Sequence, residues 1–367
     1  MQNPNKGRRL GMSSEDIAAK QTDIFKTRQY PVMAAMCLGL EEIAAMQVKE
    51  IFPDCEISEI LSGKIFFNTV TALANLLKIR CIDNLYYFIA KLPTGTNKDS
   101  VSQLAKDIQS IKFSDFLPFF CDTSHKIRIH VTASRNGKHS FSRLYASDKV
   151  LEALSSLAFF NKGGAENHDL HFRLDIIEDA AYFSLKLTSA AYRYRGDYKQ
   201  FMPGAIRPSV ANALIWLSHP NKKDVVLDPF CGSGTIVLER SFYPHHKILA
   251  FDISQEAVDV TKSNAPEHVI VRLGDACNLP LADHCVDTVI TNAPWGGQIH
   301  SGDIRGLYGA FVREAFRVLK SDGQCIILTD RTEILEQACL ELGLSAIWMA
   351  QISLHGRRPV IYQIKNQ

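Results

Sequence analysis

Four short stretches set acids, an amide and glycines where apolar runs stop. "DVVLDPFCGSGT" leaves its apolar run at Asp228 and turns through Gly232 and Gly234. "ILAFDIS" stops at Asp252, "VIVRLGDAC" at Asp275, and "CVDTVITNAPW" at Asn292, Ala293, Pro294 and Trp295. Each type fits a ligand chemistry. Asp228 is an acceptor suited to an ammonium or a hydroxyl. The glycines let backbone approach a ligand closely, and Ser233 or Thr235 is placed to cap the helix that follows. The free N–H groups of that helix suit a carboxylate. The Asp252 carboxylate can take both hydroxyls of a ribose. Asp275 can accept from an adenine amino group, with the Ala276 N–H facing the ring. The glycine turn lacks both the Lys-Ser/Thr ending of a Walker loop and the GxGxxG spacing of a dinucleotide fold.

These stretches need a scaffold that gathers them. From residue 205 to residue 367, strand-like and helix-like runs alternate, which predicts a mostly parallel sheet covered on both faces by helices. In such a sheet, ligands bind at the carboxyl ends of the strands. The last two strand-like runs, "AIWMAQISL" and "PVIYQIKN", are joined only by "HGRR". That turn is too short for a parallel crossover, so one antiparallel strand is expected.

Two further blocks precede it. Residues 27–92 read β-α-β-β-α-β, the order of a ferredoxin-like unit. "GLEEIAAMQVKEIF" supplies the first helix, with Leu40, Ile43, Met46 and Val48 near one face, and "ALANLLKIR" the second. Residues 93–194 form another α+β block. Its "SRNGKHSFSRLYAS" groups Arg135, Lys138, His139 and Arg143 with Phe141 and Tyr145. Basic groups neutralise phosphates and aromatic faces stack on unpaired bases. Residues 195–204 read as a linker and residues 1–26 as a flexible terminus. Nine cysteines without a CxxC pair argue against zinc and for reduced thiols in a cytoplasmic protein. No apolar run reaches the roughly 18 residues of a membrane span. The net charge of +2 leaves a nucleic-acid partner open.

The 205–367 block resembles class I S-adenosylmethionine-dependent methyltransferases, α/β proteins with a Rossmann-like, mostly parallel seven-stranded sheet holding one antiparallel strand. "DPFCGSGT" resembles their first motif, Asp252 the ribose-binding acid and Asp275 the adenine-side acid. "NAPW" resembles the Asn/Asp-Pro-Pro-aromatic motif of enzymes that methylate exocyclic amines. The upstream blocks resemble the ferredoxin-like and THUMP regions of RNA-modifying enzymes, through "GLEEIAAMQVKEIF", "SGKIFF" and the joining segment "YRYRGDYK". The nearest group is the THUMP-containing tRNA guanine-N2 methyltransferases, including those acting on position six. Ala293 departs from the proline many relatives carry, and Trp295 replaces the more usual Tyr or Phe.

The resemblance implies S-adenosyl-L-methionine as cofactor and no metal. Its expected binding set is Asp228, Phe230, Gly232, Ser233, Gly234, Thr235, Asp252, Ile253, Asp275, Ala276 and Asn292. The catalytic set is Asn292, Ala293, Pro294 and Trp295. Asn292 Oδ1 and the carbonyl of Ala293 or Pro294 would orient the amine, Trp295 would stack on the flipped base, and Gly296 and Gly297 would leave room for its sugar. RNA contact is expected from Arg135, Lys138, Arg143, Arg195 and Lys199, with an ion pair as the competing role for Arg195. Expected partners are tRNA, held at its acceptor end by residues 93–194, with a small activating subunit as a further candidate; a monomer is expected. Two alternatives stay open: a DNA adenine-N6 or cytosine-N4 methyltransferase, and a non-catalytic RNA-binding protein with a decayed methyltransferase fold.

Overall fold

The computed structural model describes residues 29–196, 200, 202–295 and 303–366. The expected flexible terminus, Lys199, Gly296 and Gly297 lie outside them. In chain order the first elements are β1 (Tyr30–Ala35), α1 (Glu41–Ile51), β2 (Glu56–Leu61), β3 (Lys64–Thr69), α2 (Leu73–Leu76) and β4 (Asn84–Pro93). The β-α-β-β-α-β order is present, but the second helix is one turn only. Next come α3 (Lys98–Gln109), two 3₁₀ turns, β5 (Ile127–Asn136), α4 (Arg143–Ser155), β6 (Phe160–Lys162), β7 (Leu170–Ile177), β8 (Ala180–Lys186) and α5 (Ala190–Tyr194). The two blocks share one eight-stranded sheet, ordered β2-β3-β1-β4-β8-β7-β5-β6. The join is antiparallel pairing of β4 with β8.

Helix patterning explains which face is covered. In α3 the buried residues are Val101, Leu104, Ala105 and Ile108, three or four apart, and Asn97 caps its start through Ser100 N–H. In α4 they include Ala146, Val150, Leu151 and Leu154, with Ser142 as cap. Both stripes share one core with Ile129 and Val131 of β5 and Phe172 of β7. In α1 the stripe differs from the reading of the sequence. Met46 is 48% exposed, and the buried place falls to the polar Gln47.

The remaining elements are α6 (Pro208–Leu217), β9 (Val225–Asp228), α7 (Thr235–Arg240), β10 (Lys247–Asp252), α8 (Gln255–Asn264), β11 (Ile270–Leu273), β12 (Val286–Asn292), α9 (Ile304–Val318), β13 (Leu319–Thr329), α10 (Thr332–Glu341), β14 (Leu344–Gln351) and β15 (Val360–Asn366). Their sheet runs β11-β10-β9-β12-β13-β15-β14. Every pair is parallel except those of β15, which lies antiparallel to β13 and β14. This is the Rossmann-like class I arrangement with its single reversed strand. The β14–β15 turn has φ of 52° at His355 and 76° at Gly356, the two positive values a tight two-residue hairpin needs. None of the described helices is long and apolar enough to cross a membrane.

The two sheets are docked by polar groups as well as apolar ones. Gln47 Nε2 donates to Asn212 Oδ1 at 3.0 Å, and Gln47 Oε1 accepts from the N–H groups of Arg80 and Cys81. Beside it, the fully buried Glu239 of α7 receives Arg80 Nε and Nη2 at 3.0 and 2.8 Å and Arg195 Nε at 2.9 Å. Arg195 is therefore an inter-sheet ion pair, its side chain 5% exposed. That burial removes it from the expected RNA contacts. Elsewhere the Ser353 N–H donates to Leu38 O, tying the C-terminal hairpin to the β1–α1 loop.

Candidate active site

The parallel register brings the four strand ends together. Asp228, Asp252, Asp275 and Asn292, with Phe230, Gly232, Ser233, Thr235, Ile253, Ala276, Ala293, Pro294 and Trp295, line one cavity of about 630 Å³. Of the described residues expected there, only Gly234 does not line it. Gly234 is instead the N-cap of α7, with φ of 80°, and a Cβ on it would meet Thr261 Cγ2 at 2.9 Å. Its role is to let the turn close against α8. This also corrects the capping assignment: neither Ser233 nor Thr235 caps α7, which has no side-chain cap. The turn is held from α8, where Thr261 Oγ1 donates to Gly232 O at 2.7 Å and Asn264 Nδ2 to Ser233 O at 2.9 Å.

Asp252 is fixed by two backbone donors. Gly232 N–H reaches Oδ2 and Ser254 N–H reaches Oδ1, both at 2.9 Å. Each oxygen keeps lone pairs for a ligand hydroxyl. Ser254, not Asp252, caps α8. Asp275 Oδ1 accepts the Cys277 N–H at 2.8 Å. Ile253 is 76% exposed and offers a flat apolar surface at the cavity wall.

Asp228 is the most perturbed acid. It is 1% exposed and accepts from Thr291 Oγ1 at 2.8 Å and from Phe230 N–H at 3.3 Å. Burial, opposed by these donors and reinforced by Asp252, pushes its carboxyl from 3.8 up to about 7. A pKa raised by folding means that the folded state holds a proton the unfolded chain has lost. The stabilisation is then complete below about pH 4 and is lost as pH rises through 7. Asp228→Asn should accordingly raise the Tm of the ligand-free protein at pH 8 by roughly 2–4 °C. The gap should shrink toward pH 5; equal gaps at both pH values would contradict a desolvated carboxyl.

At the end of β12 the chain is held on both sides. Ala293 is buried, and its N–H donates to Leu328 O at 3.1 Å. Tyr308 of α9 donates its hydroxyl to Pro294 O at 2.9 Å and lies 2.6 Å from Thr329 Oγ1. Arg331 sends Nε and Nη2 to Trp295 O at 2.9 and 2.6 Å. Two consecutive carbonyls are thus fixed by side chains that the sequence reading did not single out. Arg331 follows the end of β13, so the same strand-end rule would have reached it. Tyr308 gave no such signal, because it is one apolar-face residue of an ordinary amphipathic helix. His355 and Arg357 of the hairpin also line the cavity, and Arg357 pairs with Asp330.

Three buried side-chain atoms that make no hydrogen bond among the described residues belong to residues of this cavity: Ser233 Oγ, Asn292 Oδ1 and Trp295 Nε1. Each such atom costs about 1–3 kcal/mol. Their presence on residues of one cavity suits a place completed by a polar ligand. Acceptors for an ammonium and for hydroxyls at one end, and an unpartnered amide oxygen beside an indole at the other, fit an adenosyl amino acid and a planar amine. No metal-holding group of His, Cys, Asp or Glu occurs among the described residues.

The basic cluster of residues 93–194 is carried partly by regular elements. Arg135 is the penultimate residue of β5 and Arg143 begins α4; both are exposed and line a second concavity of about 540 Å³. Lys138 is exposed between them. Phe141 is 3% exposed, so its ring belongs to the core and offers no stacking face.

Comparison with known proteins agrees with this geometry. Residues 195–358 match the UPF0020 family model, described as RMKL-like, methyltransferase domain. The tRNA (guanine(6)-N(2))-methyltransferase THUMP3 of Mus musculus is 26% identical over 263 residues, covering 65% of this chain and 51% of that protein. The chain thus spans about half the length of the mammalian relatives it matches. The tRNA (guanine(6)-N2)-methyltransferase of Archaeoglobus fulgidus is 22% identical over 350 residues, covering 85% of this chain and 86% of that protein. Among solved structures, TrmN from Thermus thermophilus superposes with a TM-score of 0.75 at 23% identity, covering 93% of this chain and 100% of that one. That likeness concerns the fold.

Proposed function

We propose that this chain, whose residues 195–358 match the RMKL-like methyltransferase domain model of the UPF0020 family, transfers a methyl group from S-adenosylmethionine to the N2 amine of a guanine in tRNA. The observation that carries the reading is the orphaned Asn292 Oδ1, buried at a strand end that shares its cavity with Asp228, Asp252 and Asp275. The names of the relatives support tRNA as substrate and position six as the target. Residues 93–194, with Arg135, Lys138 and Arg143, are assigned to the acceptor end.

Asp252 would hold the ribose hydroxyls, Asp275 and the Ala276 N–H the adenine, and Asp228 with the start of α7 the amino-acid end. The bound cofactor supplies a methyl group on a sulfonium. Everything else falls to the protein. The guanine amine is a poor nucleophile because its lone pair is delocalised into the ring. Asn292 Oδ1 accepts one amino hydrogen. The Pro294 carbonyl is held by Tyr308, so the Ala293 carbonyl becomes the second acceptor. Two fixed acceptors aim the nitrogen and stabilise the positive charge that grows on it. Pro294 stiffens the backbone, and Trp295 stacks on the extruded base. No strong base is required, since the alkylated amine is itself acidic.

Tyr308→Phe removes the hydroxyl that anchors Pro294 O while keeping the ring. It should lower kcat about tenfold with KM for tRNA little changed, because one hydrogen bond holding the acceptors is worth about 1–1.5 kcal/mol. An unchanged kcat would show that the loop holds itself. The main test is incubation with methyl-labelled S-adenosylmethionine, tRNA and duplex DNA, followed by mass spectrometry of the nucleosides. N2-methylguanosine from tRNA is expected. Label in DNA alone would overturn the RNA reading, and absence of cofactor binding by calorimetry would favour a non-catalytic RNA-binding protein.

A further inference from the structure

The second face of the eight-stranded sheet carries charge that the site above does not use. Ile129, Val131 and Phe172 point into the helix-covered core, so the alternate residues of β5 and β7 point the other way. There His130 and His171 are cross-strand partners, and His168 completes a triangle of imidazoles with centroids 5.1, 5.4 and 5.5 Å apart. Lys186 of β8 stands beside them, next to Leu185, the partner of Phe172. All four are half-buried.

The cluster has no acid of its own. Arg173 is engaged by Asp175 at 2.8 and 3.0 Å, and Arg128 by Asp169. Lys186 has no ion-pair partner among the described residues. Burial first, then Arg193 and Arg173, hold its ammonium below the ordinary lysine range. Burial first, then Lys186, His130, His168 and Arg173, push His171 down to about 3. The excess positive charge continues toward the catalytic cavity. Arg193 and Arg207 share the single carboxylate of Asp83, at 3.9 and 3.0 Å, and Ile206 beside Arg207 lines the cavity wall.

We infer that Lys186, His130, His168 and His171 form a phosphate-binding surface for the RNA backbone, on a path that leads past Arg193 and Arg207 to the catalytic cavity. This rests on the RNA reading above and adds to it a contact surface distinct from Arg135, Lys138 and Arg143. Arg135 is five residues farther along β5 than His130, about 16 Å at strand rise. A metal is the competing ligand for three imidazoles. No group of three converges on one point among the described residues, and a dication would sit against the Lys186 ammonium. An anion is attracted by that same charge. His168 Nδ1 donates to Gly164 O at 2.9 Å, and His171 Nε2 meets Thr132 Oγ1 at 2.8 Å, so the rings are held in place and the Lys186 ammonium supplies the charge.

Fluorescence anisotropy of labelled tRNA tests the surface. Lys186→Gln should weaken tRNA binding about fivefold to tenfold and lower the slope of log Kd against log salt by about 0.7–1, the signature of one lost phosphate contact. His130→Gln, on a different strand, should weaken it about threefold. Calorimetric affinity for S-adenosylmethionine should not move in either variant. The Tm of Lys186→Gln should stay level or rise, because an uncompensated half-buried cation is removed. Unchanged tRNA affinity and slope in both folded variants overturns the inference while leaving the proposed function intact. Failure of the wild-type protein to bind tRNA overturns the proposed function first. Inorganic phosphate at matched ionic strength should not displace tRNA; displacement as complete as that by unlabelled tRNA would make this a free-anion site and overturn the inference.

Discussion

Asn292→Ala should cut turnover at least about 100-fold while S-adenosylmethionine affinity stays within about threefold of wild type. The asymmetry follows from what the amide does in the structure. Its Oδ1 is buried and unpartnered, so in the ligand-free protein it stabilises nothing. Its worth is realised only against an amine whose hydrogens become more acidic as the nitrogen is alkylated. That is a transition-state interaction, and its removal lowers kcat and kcat/KM together. The neighbouring carbonyls remain in place, because Tyr308 and Arg331 hold them without help from Asn292. Asn292→Asp would add a charge as well as remove the amide, so single-turnover kinetics with the alanine variant is the cleaner measurement. Near-normal turnover would reduce the segment to a turn.

How far the site could be read in advance depends on where its information lies. The acids at residues 228, 252 and 275 and the amide at 292 were legible because alternation of strand and helix dictates a parallel sheet, and a parallel sheet puts every strand end on one edge. Gly234 was legible as a turn residue but not as a spacer against Thr261, a contact 27 residues away in sequence. Tyr308 has the same character. It occupies a core-facing position of α9, and only the fold shows that its hydroxyl reaches Pro294 O. The basic cluster was misread in part for a related reason: Phe141 lies amid polar neighbours, yet its ring points into the core.

The polar docking of the two sheets was the least legible part, and it carries the second large expectation. Gln47 and Glu239 sit at fully buried helix positions where hydrophobic periodicity calls for apolar side chains. Neither residue is informative alone. Together with Arg80, Arg195 and Asn212 they form one closed cluster, in which a single carboxylate answers two guanidinium groups. Glu239→Ala would leave both cations facing each other, with the Arg195 side chain only 5% exposed. Breaking a buried pair by removing one partner costs about 3–5 kcal/mol, more than the pair adds over an apolar replacement. Because the cluster joins the eight-stranded sheet to the seven-stranded one, the loss should appear in calorimetry as a single transition splitting in two. Arg80→Ala on the Glu239→Ala background should cost less than Arg80→Ala alone, since the second change then removes a stranded charge. A Glu239→Ala protein that melts in one transition within about 1 kcal/mol of wild type would mean that apolar contact alone holds the sheets together.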